Sequence, residues 1–177
     1  MVDVIDEEAQ VGFAGVSVTA PDGLRLFVRD YAPRQASELP VVCLPGLACT
    51  SAVYHELALA LATDPATPRR VVAIDGRGCG RSDYDPNADN YDALVEVADL
   101  AAVLTALEIA PALFIGTSRG GVAVMRLAPM RPAAIAGVVL NDVGPVMEAQ
   151  GLMRMKNYLG KLPTPRSFEE GADILRR

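Results

Sequence analysis

Residues Ala112-Leu113-Phe114-Ile115-Gly116-Thr117-Ser118-Arg119-Gly120-Gly121 decide how this chain folds. Four apolar residues after Pro111 read as a short buried strand. The apolar run Val122 to Met130, closing at Pro129 and Pro132, reads as a helix. Between them lies Gly-x-Ser-x-Gly. So tight a turn from strand to helix forces the backbone at Ser118 into a strained conformation. Side chains at Gly116 or Gly120 would clash with the neighbouring strand and helix. The serine hydroxyl then stands above the sheet at the positive end of a helix, where a weak nucleophile can meet an acyl group. The bare pentapeptide recurs by chance in many loops. The strand before it and the helix after it single this one out.

Working outward, Ile135 to Leu140 is another all-apolar run, ending in Asn141-Asp142-Val143-Gly144-Pro145. Upstream, Val41-Val42-Cys43-Leu44 and Arg70 to Asp75 have the same texture. Strands without polar alternation are buried on both faces, as in a parallel sheet. Ser51 is placed to cap a helix carrying Leu57, Ala58 and Leu61, and Tyr91 to Leu107 reads as a helix with Leu94, Val97, Ala98, Ala101, Leu104 and Leu107 on one face. Val16 to Thr19 and Leu24 to Tyr31 read as an antiparallel hairpin at a sheet edge, turned by Pro21-Asp22-Gly23. The fold class expected is α/β: a mostly parallel sheet with helices on both faces and an antiparallel hairpin at its N-terminal edge. Residues 1–12 are expected to be a flexible tail and 13–145 a core with six strands. Beyond it, Val146 to Gly160 reads as an amphipathic helix, and Ser167 caps a short helix through Leu175. Ligands in such sheets sit beyond the carboxyl ends of the strands. The loops Pro45-Gly46, Gly76 to Gly80 and Gly116 to Gly120 should therefore converge.

Composition narrows the function classes. At 177 residues the chain is about one domain, and 51% hydrophobic against 21% charged residues allows a sizeable core. A net charge of −6 without a Lys/Arg run argues against a nucleic-acid partner. No apolar stretch is long enough to span a bilayer, and Met1 to Gln10 lacks the basic-then-apolar order of a secretory signal. The three cysteines, Cys43, Cys49 and Cys79, have no metal-ligand spacing and leave an odd one over, so a reduced cytoplasmic compartment is expected. No metal or cofactor is expected. Cys43 reads as a small core residue.

Attack by Ser118 on an acyl carbon creates an oxyanion, which needs preorganised donors. One should be the backbone N–H of Arg119, directly after the serine. The other should come from the loop after the Val41 strand, at Leu47. The glycines of Asp75-Gly76-Arg77-Gly78-Cys79-Gly80-Arg81-Ser82-Asp83 do not open a helix, and the lysine of a phosphate-binding loop is absent, so a nucleotide site is rejected. Asp75, Arg77 and Asp83 are expected to bridge charges there.

Taken in order, Leu44-Pro45-Gly46, the Asp75 to Asp83 loop, Gly116-Thr117-Ser118-Arg119-Gly120-Gly121 and Asn141-Asp142-Val143-Gly144-Pro145 resemble the α/β-hydrolase superfamily over residues 13 to 177. The resemblance implies an eight-stranded sheet with a helical cap after the sixth strand. This chain then looks like a C-terminally truncated α/β-hydrolase fold, with 146–177 as the start of the cap. It also implies a triad in the order Ser, Asp or Glu, then His. The sequence has one histidine, His55, upstream of Ser118, where it reads as a surface or packing residue. Some members place the acid where Asp142 stands, which makes Asp142 a candidate acid. Pro45-Gly46 replaces the usual His-Gly, and Thr117 precedes the serine.

Three functions remain open. One is a serine hydrolase acting on an ester, lactone or related carbonyl compound through a Ser118 acyl-enzyme, weak or inactive without a base. Another is a ligand-binding member of the fold without turnover. The third is an acyltransferase. The partner expected is a small acyl substrate, with self-association through an exposed Ile135–Leu140 edge.

Overall fold

The computed structural model describes residues 2–8, 12–31, 36, 38–158, 161 and 164–176. They fall into two units, 1–144 and 145–177. In the first, strands β1 (Val2–Glu8), β2 (Phe13–Thr19), β3 (Arg25–Tyr31), β4 (Val41–Leu44), β5 (Val71–Ile74), β6 (Ala112–Thr117) and β7 (Ile135–Asn141) form one sheet in the order β1-β2-β3-β5-β4-β6-β7. Strands β5, β4, β6 and β7 run parallel, while β1, β2 and β3 join as antiparallel neighbours. Helices α1 (His55–Ala62), α2 (Ala93–Ala106) and α3 (Arg119–Met130) connect the parallel strands.

Strands β4 and β5 are buried along their whole length because each feeds two cores. Val42, Leu44, Val72 and Ile74 pack with Val97, Leu100 and Val103 of α2 and Val124 and Leu127 of α3. The alternate residues Val41, Cys43, Val71 and Ala73 pack with Tyr54 and Ala58 on the α1 side. That is the period-two pleat read off both faces. Helices therefore cover both sides of the sheet, as the sequence predicts.

Three details differ from expectation. Residues 2–8 lie in a strand instead of a tail, with register from Val2↔Val18 to Glu8↔Phe13. The sheet thus has seven strands, and the β2–β3 hairpin is flanked by β1. The pairing is between main chains, and an acidic segment hides it because Asp and Glu are poor strand formers. Ser51 does not cap a helix. Its amide donates to Asp75 Oδ1 at 2.6 Å and its hydroxyl accepts from Arg29 Nε at 3.1 Å. Leu94 is 60% exposed and leaves the buried stripe of α2, whose true cap is Asp92, accepting from the Leu94 amide.

In the charged loop Arg77 and Asp83 bridge charges as expected, with partners elsewhere in the chain. Asp75, Arg77 and Asp83 do not bridge one another. Asp75 accepts from the amides of Ser51 and Arg81, and Asp83 pairs with Arg25. The Arg77 side chain, fully buried, pairs with Asp22, Asp85 and Asp99. Burial pushes the Asp99 carboxyl above its ordinary value, against the pull of Arg77, and the Arg77 guanidinium is held charged by Asp99 above all. A second buried pair, Arg70 with Asp30 at 2.7 Å, is completed by Arg70 donating to the Leu107 carbonyl.

In the second unit, α4 (Ala149–Tyr158) and α5 (Phe168–Leu175) stand where the sequence predicts helices. Leu159 and Gly160 lie outside the described residues. Ser167 caps α5 by accepting from the Glu170 amide at 3.2 Å, while Glu170 Oε2 accepts from the Arg166 amide at 2.6 Å. No helix among the described residues is long and apolar enough to cross a membrane.

Candidate active site

Strand order places the site. The connection from β4 runs to β5 on one side and the connection from β6 runs to β7 on the other, so a crevice opens beyond the ends of β4 and β6. Leu44 and Gly116 are register partners at those ends. The segments that follow, Pro45-Gly46-Leu47 and Thr117-Ser118, therefore start side by side.

Ser118 joins β6 to α3 with φ 48° and ψ −112°. A positive φ at a non-glycine residue costs about 1–3 kcal/mol and persists only where surroundings impose it. Here they do. The Ser118 amide donates to the Asn141 carbonyl at 2.9 Å, and its carbonyl accepts the first helical bond from Val122 at 3.1 Å. A Cβ on Gly116 would stand 2.6 Å from Gly121 Cα, and one on Gly120 would run into the Leu44 carbonyl. Both glycines are required for the reason the sequence suggests. Gly121, not singled out there, is equally crowded by Val143 and the Gly116 carbonyl. Ser118 is half-buried, outside the core.

Arg119 opens α3, so its amide is among the helix N–H groups that lack an intrahelical partner. Its cationic side chain would oppose the helix dipole, but Nε donates to Glu96 Oε2 at 3.0 Å, Glu96 Oε1 pairs with Nη2, and the Tyr91 carbonyl accepts at 3.2 Å. Leu47 lies in a four-residue turn closed by the Cys49 amide on the Gly46 carbonyl at 3.1 Å. Ala48 holds the turn's positive-φ position, at 59°, which glycine usually fills. A Cβ on Gly46 would be 3.6 Å from Ser118 Cβ, so the turn runs directly beside the serine.

Asp142 follows β7 at φ 54° and is exposed. Its neighbour Asn141, through the main chain, makes the contact with Ser118. His55 is held elsewhere: its Nδ1 lies 3.2 Å from the Tyr31 hydroxyl and its ring stands edge-on to Phe13 at 6.2 Å.

A cavity of about 470 Å³ opens where the three glycine loops meet. Leu26, Leu44, Ile74 and Leu100 give it an apolar floor, while Leu47, Gly78, Arg119 and Gly120 stand at its walls. Ser118 is next to these residues but does not line the cavity. Cys49 and Cys79 do, and burial pushes the Cys79 thiol above its ordinary value.

The model of the alpha/beta hydrolase fold family matches residues 40–166. This chain belongs to the α/β hydrolase family. Among α/β hydrolases it is 31% identical over 167 residues to a 3-hydroxybutyrate-oligomer hydrolase of Cupriavidus necator, covering 94% of this chain and 55% of that protein. It is 36% identical over 133 residues to a non-heme chloroperoxidase of Streptomyces lividans, covering 74% and 46%. The structure superposes on an alpha/beta hydrolase from Novosphingobium aromaticivorans with a TM-score of 0.84 at 37% identity, over 94% of this chain and 56% of that one. The chain spans about half the length of the relatives it matches.

Sequence reasoning missed Tyr54, Glu96 and Asn141. Tyr54 is 7% exposed and bonds both Leu44 and Thr117, yet in the sequence it is one more aromatic in an apolar segment. Glu96 meets Arg119 from 23 residues away, and no local pattern announces such a pair.

Proposed function

We propose that this α/β hydrolase chain carries the nucleophile and oxyanion half of an esterase site, with Ser118 forming an acyl-enzyme. The supporting observation is the φ of 48° at Ser118, imposed between β6 and α3 with the Gly46–Cys49 turn beside it. Ser118 Oγ attacks the ester carbonyl carbon as its proton passes to a base. The tetrahedral oxyanion takes hydrogen bonds from the amides of Arg119 and Leu47. Collapse expels the alcohol with a proton, and water then cleaves the acyl-enzyme and returns the serine. This chemistry asks for no metal or cofactor.

The base is the limiting element. His55 is engaged with Tyr31 and has no part in the proton transfer. Without a base, Ser118 stays protonated at neutral pH. These 177 residues alone are therefore expected to turn over at the low rate an oxyanion hole supports. Asp142, at the same rim, is the candidate acid, and 146–177 are read as the start of a helical cap. The apolar cavity floor suits an acyl group. The similarity to a 3-hydroxybutyrate-oligomer hydrolase makes esters of short hydroxy acids the first substrates to test. Three free thiols fit a reducing, cytoplasmic setting.

The test is fluorophosphonate labelling of the protein expressed from its complete reading frame, followed by peptide mapping. The adduct is expected on Ser118 and absent from Ser118→Ala. An unlabelled protein without ester hydrolysis would select a non-catalytic binding role.

A further inference from the structure

Four segments end at one rim of the sheet, and a single file of polar side chains ties them together. Tyr54 Oη donates to the Leu44 carbonyl at 3.0 Å and lies 2.6 Å from Thr117 Oγ1. Asn141 Nδ2 donates to the same Oγ1 at 3.2 Å. Counting protons fixes the direction. The phenol has one hydrogen, and Leu44 takes it. Thr117 must then donate its own hydrogen to Tyr54, leaving its lone pairs for the Asn141 amide. The file runs one way, from the end of β7 through the end of β6 and the turn at 51–54 to the end of β4.

Three of the four lead straight into a candidate site residue. Thr117 precedes Ser118, Asn141 precedes Asp142, and Leu44 leads into the turn that carries Leu47. The Ser118 amide closes the circuit on the Asn141 carbonyl at 2.9 Å. A buried tyrosine needs a partner for its hydroxyl, and the Leu44 carbonyl already supplies one. The second bond, to the residue just before the serine, exceeds that need.

We propose that Tyr54 and Thr117 are positioning residues that fix the Ser118 turn and the Gly46–Cys49 turn against each other. The catalytic consequence rests on the Ser118 reading above; the geometric one does not. Both serine oxygen and oxyanion donors must be held to a fraction of an ångström, and the file spans the two loops that hold them.

The experiment compares Thr117→Val, Tyr54→Phe and Thr117→Ser in the protein expressed from its complete reading frame. Amide hydrogen exchange at 45–50 and 117–121 should quicken about five- to tenfold in the first two variants, while β2 and β3 are unchanged. Thr117→Ser, which keeps the hydroxyl, should restore protection. Per serine titrated by fluorophosphonate, kcat should fall roughly ten- to a hundredfold with KM within about twofold. Unchanged local exchange, a loss shared equally by β2 and β3, or an undiminished kcat overturns the proposal. A wild type that takes no label refutes the Ser118 reading instead, and hydrogen exchange alone then decides the positioning role.

Discussion

The main-chain carbonyl of Asn141 accepts the Ser118 amide at 2.9 Å, so the last residue of β7 anchors the strained turn that ends β6. The serine's conformation is a property of two adjacent strand ends, not of the pentapeptide alone. Substitutions that push those ends apart should act on the turn before they act on the core.

Gly116→Ala should show this. Its new Cβ would press on Gly121 Cα at 2.6 Å, backbone against backbone, with no flexible side chain to give way. A loss of about 1–3 kcal/mol is expected, lowering Tm by a few degrees per kcal/mol. Gly76→Ala is the control, because nothing lies within 4 Å of a Cβ there. Thermal melts of the two variants should differ clearly; equal melts would mean that β6 and α3 are not packed this closely.

The three thiols should react in a fixed order. Cys49 is exposed, Cys79 is partly covered with its thiol shifted upward by burial, and Cys43 is fully buried with its thiol pushed up to about 12. The thiolate is the reactive form. Iodoacetamide near pH 8 should therefore modify Cys49 first and Cys79 more slowly, leaving Cys43 until the protein unfolds. Mass spectrometry of timed samples reads the order directly. Early modification of Cys43 would contradict its place in the core.

Acid should weaken the tie between the β2–β3 hairpin and the glycine loop. The Arg25 side chain, and then its amide, hold the Asp83 carboxyl below its ordinary 3.8. A folded value below the unfolded one stabilises the fold above about pH 4, and that contribution is lost as pH falls through the folded value. Asp22 behaves alike, lowered by the Leu24 amide first and by Arg77 as well. Asp83→Asn should be less stable than wild type at pH 7 and should lose less on acidification. Denaturant melts from pH 7 down to about pH 3 measure both. Parallel curves for the two proteins would remove Asp83 from the account.

Strand β7 is the outer strand on its side of the sheet, with Val138 43% and Val139 58% exposed. An apolar edge with free main-chain groups invites another strand. These 177 residues, prepared alone, are expected to self-associate with rising concentration, and Val139→Lys should shift them toward monomer. Sedimentation velocity over a concentration series is the measurement. A wild-type monomer throughout would show that the edge is tolerated.

Much of this architecture was legible because two-sided burial leaves no polar alternation. β4, β5 and β6 could be read directly, and the glycines around Ser118 announced a turn too tight for side chains. The convergence of three loops followed from strand direction. What escaped was non-local. Tyr54 finds Thr117 only after β4 and β6 pair, and Glu96 finds Arg119 only after α2 packs on α3. β1 escaped for another reason: main-chain pairing can hold a segment whose side chains argue against it.

The buried Arg77 guanidinium is shared by Asp22 of the hairpin turn, Asp85 of the following loop and Asp99 of α2. A shortened polypeptide begun at Pro40 would keep the serine turn yet remove Asp22 from that cation, together with the β3 strand that lies along β5. The strands ahead of Pro40 are thus no ornament on a self-sufficient domain. Trimming them would strip Leu26 from the lining of the crevice and leave Arg77 with Asp85 and Asp99 alone.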